Sequence, residues 1–151
     1  MKIVVCVKAV PGSVSNVRVT DSQDRFLYHS YGLAANESDQ YALEEAVSLK
    51  DRARGEVTVM TMGSRAAEDT LYACLARRAD KAVRIEHESI DPNITASVLA
   101  EAIKRRQYEL ILTGVESQDV MAAQVGVLLA MRLELPFAYA VTAVEVRDGG
   151  G

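Results

Sequence analysis

Several kinds of protein are excluded by what this chain of 151 residues has little of. It carries two cysteines, Cys6 and Cys74, and no CxxC pair, which argues against a disulfide framework, a zinc finger and a dithiol redox motif. No apolar run approaches the roughly 20 residues that span a bilayer, so membrane insertion is not expected. The net charge is −4 and no basic stripe stands out, which weighs against nucleic acid or an anionic membrane as partner. Arg77-Arg78 and Lys104-Arg105-Arg106 read instead as solvated helix ends, where cations complement the helix dipole. Familiar nucleotide motifs are missing too. There is no GxxxxGK[ST], no GxGxxG after the first strand and no SGGxDS-type loop, so a P-loop phosphotransferase, an ordinary dinucleotide site and an ATP pyrophosphatase are all unsupported.

What is present is the composition of a water-facing globular domain, 49% hydrophobic and 25% charged, in a length suited to one core. No repeat, low-complexity tract or linker divides it, so residues 1–151 read as one domain. The first strand covers roughly residues 2 to 9 and ends at Pro11-Gly12, and its position at the start leaves no room for a signal or transit peptide. A cytoplasmic location is therefore the expectation. Residues 16 to 30 alternate around Ser22-Gln-Asp24 and suggest a hairpin. Asn36 is placed to cap a helix through the N–H of Asp39, with Ala42, Leu43, Ala46 and Val47 on one face, and Gly55 ends that helix. Strands follow at 56–62 and 81–85, with a helix opening at Gly63-Ser64 between them. Asp91-Pro92 opens a further helix to about Arg106. A strand at 108–113, a helix at about 120–133 and a last strand at 138–146 complete the pattern. This alternation predicts a three-layer αβα, Rossmann-like open sheet, mostly parallel and covered on both faces.

In such sheets ligands bind at the carboxyl ends of the strands. Here those ends carry Cys6 to Ala9, Met62-Gly63 and the stretch Gly114 to Asp119, with Asn36 closing another side. A strand, a glycine turn and a helix N-terminus near Val120 make a ready anion site, to which Ser117 and Gln124 add polar contacts. The alternative is that the glycines only make tight turns. Asp119 repels a phosphate and fits better as a helix cap or an acceptor for ribose hydroxyl or loop N–H groups; Glu116 reads as pointing to solvent. His29 and His87 read as surface histidines, and Cys6, Cys74 and Met60 as packing. No catalytic constellation is visible, which favours a binding or carrier role over an enzyme.

Four segments resemble one family in order and spacing, the beta subunits of electron-transfer flavoprotein. They are Lys2 to Pro11, Asn36 to Lys50, Val57 through Ala82, and Gly114 to Asp119 with Ala123-Gln-Val-Gly-Val-Leu-Leu-Ala130 and Leu135-Pro136. The resemblance implies a heterodimer with an alpha subunit that carries most of the contacts to FAD. It implies AMP in the beta subunit's crevice, or a second FAD in bifurcating members, and electrons passing from flavoprotein dehydrogenases to an acceptor. Carried over by position, the nucleotide would meet Cys6, Asn36, Glu37, Ser38, Asp39, Met62, Gly114, Val115, Ser117, Asp119, Ala123, Gln124 and Val125. Pro11 to Ser13 would lie nearest the partner's flavin. Val115, Glu116 and Asp119-Val-Met121 depart from the family's more polar run, and Ala123 replaces its usual glycine, which shifts phosphate binding toward backbone N–H groups. The family also continues well past residue 151, and Asp148-Gly-Gly-Gly151 reads as a turn-like stub of a longer chain. An alternative of the same architecture is a stand-alone adenine-nucleotide module like the universal stress proteins, although their glycine-rich loop is lacking after the fourth strand.

Overall fold

The central sheet is built on the run Ile-Val-Val-Cys-Val, whose alternate side chains must find cover on opposite faces. The structure, a computed structural model, describes residues 1–12 and 32–146. In it β1 (Lys2–Cys6) is followed by β2 (Ala9–Pro11), β3 (Leu33–Ala35), α1 (Glu37–Ala53) and β4 (Glu56–Met62). A single 3-10 turn (Arg65–Ala67) leads into α2 (Glu68–Ala76), then β5 (Lys81–Ile85), α3 (Pro92–Lys104), β6 (Leu110–Thr113) and α4 (Val125–Leu133). Four strands form one parallel sheet in the order β5-β4-β1-β6.

The two faces of β1 separate two cores. Ile3, Val5 and Val7 pack with Leu43, Ala46, Val47 and Leu49 of α1 and with Leu71 and Cys74 of α2. Val4 and Cys6 pack with Met60, with Ala96, Leu99, Ala100 and Ile103 of α3, and with Leu129 of α4. The predicted three-layer αβα architecture with a parallel sheet is what the chain adopts.

Local signals account for several boundaries. Asp91 accepts the N–H of Asn93 at 2.7 Å and Pro92 takes the first helical position, so the start of α3 is set by side-chain capping and a preset φ. Asp91→Ala is expected to cost about 1 kcal/mol, a fall in melting temperature of about 2–4 °C, whereas Asp91→Asn should melt like the parent. At the end of α1 the left-handed residue is Arg54 (φ 51°), and Gly55 follows it because a Cβ there would lie 2.5 Å from the Met1 carbonyl oxygen.

Four expectations are corrected. The first strand does not run to residue 9: the Lys8 N–H turns away to the Asp39 carboxylate, and Ala9–Pro11 pairs antiparallel with Leu33–Ala35, a strand too short to show in the sequence. The last helix starts at Val125, not near Val120, because Met121 (φ 54°) and Ala123 (φ 52°) are left-handed and break helical winding. No strand forms over 138–146: Pro136, Phe137 and residues up to Ala143 lie exposed, and Val144 packs against the α1 side of the core without a pairing edge. Asn36 precedes α1 but makes no side-chain cap, its amide being engaged elsewhere. The hairpin expected at 16–30, with His29, lies outside the described residues.

Candidate functional site

The strand order reverses beside β1. Chain order carries β1, β4 and β5 outward in one direction, and α3 then returns the chain to place β6 on the other side of β1. The carboxyl ends of β1 and β6 therefore flank a crevice, the position where open α/β sheets bind ligands.

Three pieces of chain meet there. From the start of α1, the Asn36 amide group donates to Ser38 Oγ at 3.0 Å and to the Glu116 carbonyl at 2.8 Å, while its Oδ1 accepts the Gln118 N–H at 3.0 Å. Ser38 Oγ donates to the same Glu116 carbonyl at 2.6 Å, and Gln118 Nε2 donates to Glu37 Oε2 at 3.0 Å. Asn36 is 1% exposed, and two of its side-chain hydrogen bonds fasten the loop after β6 to the start of the helix.

Asp39 joins the strand ends themselves. Its Oδ2 accepts the Lys8 N–H at 2.8 Å and its Oδ1 accepts the Gly114 N–H at 2.9 Å. Gly114 has no side chain because the room is taken: a Cβ would overlap Asp39 Oδ1 and Ser38 Oγ and lie 2.8 Å from the Asp39 nitrogen. Burial pushes the Asp39 carboxyl up to about 6, against the pull of the Lys8 and Gly114 N–H groups, the Asn36 side-chain amide and the Lys8 ammonium.

The Lys8 side chain crosses to the loop. Its ammonium pairs with Asp119 Oδ1 at 2.7 Å and donates to Ser117 Oγ at 3.2 Å. Asp119 is thus the partner of a cation, not the cap of a helix, and its charge toward an incoming anion is largely offset.

Of the residues singled out in the sequence, Asn36, Glu37, Ser38, Asp39, Gly114, Ser117 and Asp119 form one hydrogen-bonded cluster. Others stand apart from it. Cys6 lies in the α3–α4 core, where burial pushes its thiol up to about 12, so it serves as a small apolar side chain. Met62 ends β4 half-buried, and Val115 is exposed on the loop. Ala123 and Gln124 lie in the turn before α4, and Val125 begins that helix and packs against its core. Glu116 takes part through its carbonyl, with an exposed residue around it. Sequence reading did not single out Lys8 as a charged partner, nor Gln118; each is tied to a residue 81 to 111 positions away, and no local pattern signals that. His87 is exposed and Cys74 is buried, as expected. Among the described residues no group of three or more His, Cys, Asp or Glu is placed to hold a metal ion, and no helix is long and apolar enough to cross a membrane.

Residues 26–150 match the family model described as the electron transfer flavoprotein domain. The chain is similar to electron transfer flavoprotein subunit beta of Clostridium acetobutylicum, 36% identical over 152 residues, covering 99% of this chain and 58% of that protein. It is 34% identical to subunit CarD of the caffeyl-CoA reductase–Etf complex of Acetobacterium woodii, over 98% of this chain and 58% of that one. Protein FixA of Bradyrhizobium diazoefficiens is 36% identical over 98% of this chain and 55% of its own length. The chain therefore spans a little over half the length of these curated relatives.

Proposed function

Because the chain belongs to the electron transfer flavoprotein family, among the beta subunits, we propose that its crevice holds an adenine nucleotide and that it works as one part of an electron carrier. The nucleotide is AMP, or a second FAD if the assembly is of the bifurcating kind. The partner is an alpha subunit holding the FAD that receives electrons from flavoprotein dehydrogenases and passes them to an acceptor. In this reading residues 1–151 are a single nucleotide-binding domain with no catalytic residues of its own, acting in the cytoplasm.

The observation that carries the proposal is the fastening of the loop 114–118 to the start of α1 at the switch point of the sheet. It brings together donors and acceptors that suit a nucleotide in different parts. Phosphate fits the first turn of α4, where the N–H groups of Val125, Gly126 and Val127 have no intrahelical partner. The Lys8–Asp119 pair with Ser117 offers both donor and acceptor to ribose hydroxyls. Glu37, Asp39 and Asp119 against the single Lys8 leave the cluster itself acidic, so phosphate is not expected to sit on its side chains. A bound flavin would supply the electron chemistry, and this chain would supply orientation and an ordered surface for the partner.

The test is to express the chain with candidate alpha subunits, isolate the complex and release its ligands by heat. Equal amounts of AMP and FAD by mass and absorbance are the expected result, and FAD without AMP identifies the bifurcating form. Absence of both a heterodimer and any adenine nucleotide would overturn the proposal.

A further inference from the structure

A buried aspartate that spans two strand ends is an expensive choice for a joint that uncharged groups can make. Asn36 and Ser38 hold the middle of the loop with neutral hydrogen bonds. Where the loop leaves β6, and where the chain leaves β1, the holding group is instead the Asp39 carboxylate, 6% exposed. Its two oxygens are used separately, Oδ2 by Lys8 and Oδ1 by Gly114. Placing the Lys8 backbone also places the root of the side chain that reaches Asp119 and Ser117. One group therefore fixes both walls of the crevice.

Resting on the nucleotide reading above, we infer that Asp39 is a positioning residue and not a nucleotide contact: its charged carboxylate sets the loop 114–119 and Lys8 at the spacing that binding requires. The charged form is needed because both oxygens accept from N–H donors. Protonation puts an O–H on one of them and leaves it a poor acceptor, so one wall is released.

The charged and titratable groups around it come from each neighbouring element. Cys6 ends β1 and Lys8 follows it, Asp119 belongs to the loop, and Cys74 lies on α2 with Arg77 just past its end, bonded to Gln40 of α1. Burial and the Asp39 charge push the Cys6 thiol up to about 12; burial likewise raises Cys74, to about 11. Neither thiol ionises near neutrality, whereas burial brings the Asp39 carboxyl up to about 6.

The sign of the linkage separates this role from a stabilising one. The folded protein holds the Asp39 proton more tightly than the unfolded chain, about 6 against 3.8. Its contribution to stability is therefore fully present below pH 3.8 and is lost as pH rises through 6. At neutral pH the charge works against the fold while serving the crevice, so acid should weaken binding without this group weakening the fold.

The test uses AMP and the chain itself, as wild type and as Asp39→Asn. In ligand-free wild type, the Lys8 and Gly114 amide proton shifts should move together with a midpoint near pH 6, and should stay still in the variant. At pH 7.5 wild type should bind AMP more tightly than Asp39→Asn. That advantage should shrink about tenfold by pH 5, since a carboxylate with a midpoint of about 6 is then charged in about one molecule in eleven. The comparison with the variant removes the ionisation of AMP's own phosphate. Amide shifts that stay flat through pH 6, or equal AMP affinity for the two proteins at pH 7.5, overturn the inference. Titrating amides in a wild-type protein that binds no AMP at pH 7.5 overturn the nucleotide reading on which it rests.

Discussion

Gly114→Ala is expected to lower stability by about 1–3 kcal/mol, a fall of roughly 2–12 °C in melting temperature at about 2–4 °C per kcal/mol, and to abolish nucleotide binding by this chain. The added methyl group would overlap Asp39 Oδ1 and Ser38 Oγ, which side-chain rotation can relieve, and it also meets the Asp39 backbone nitrogen at 2.8 Å, which rotation cannot. Either the first turn of α1 or the end of β6 must shift, and both carry the groups that fasten the loop. Gly63→Ala provides the comparison, because a methyl group there meets only Ala67 Cβ at 3.3 Å. Thermal melts and AMP titrations of the two variants decide the matter: similar values for both would show that the close approach at Gly114 is not what shapes the crevice.

The second large effect is expected from Leu43→Ala, at about 2–5 kcal/mol out of a total stability of about 5–15 kcal/mol for a domain of this kind. Leu43 is 1% exposed and seats α1 against Ile3, Val5, Val57 and Val59 of the sheet. Truncation leaves a cavity that the surrounding strand residues, held in a parallel ladder, are poorly able to close. Because α1 presents Asn36, Ser38 and Asp39 from its first turn, loosening its seat should weaken nucleotide binding as well as the fold. Leu43→Met keeps the volume and should cost less than about 1.5 kcal/mol. Urea unfolding gives both numbers, and a loss below 1 kcal/mol for Leu43→Ala would contradict the packing described above.

How far this molecule can be read from its sequence depends on the range of the forces at each position. The strand at 56–62 was legible because a β-branched, buried run between turn residues leaves few other options, and it coincides with β4; 81–85 coincides with the more exposed β5. Asp91-Pro92 was legible because capping acts within two residues. The start of α4 was not. Val120 to Gln124 has nothing locally hostile to helix, yet Met121 and Ala123 take left-handed conformations in a chain that leaves a loop fastened to α1. Asn36 misled in the same way: its sequence position is that of a cap, and the structure spends its amide on residues 80 and 82 positions away. The candidate site was legible as a list of positions, since seven of them converge, but not as a mechanism of assembly. Asp119 has the sequence position of a helix cap, and only the fold brings the Lys8 ammonium to it.

The sequence separations in this cluster have a consequence for when it exists during folding. The Asp39–Gly114 bond closes 75 residues of chain, and the Lys8 contacts to Ser117 and Asp119 close 109 and 111. Contacts of such long range cost loop-closure entropy and cannot form before β6 has paired with β1. A chain folded only through α2 would have the first turn of α1 holding the Lys8 N–H, but no loop after β6 to fasten. Nucleotide should therefore recognise the completed fold alone, and its binding energy should protect against global unfolding, with fraying of separate elements left unaffected.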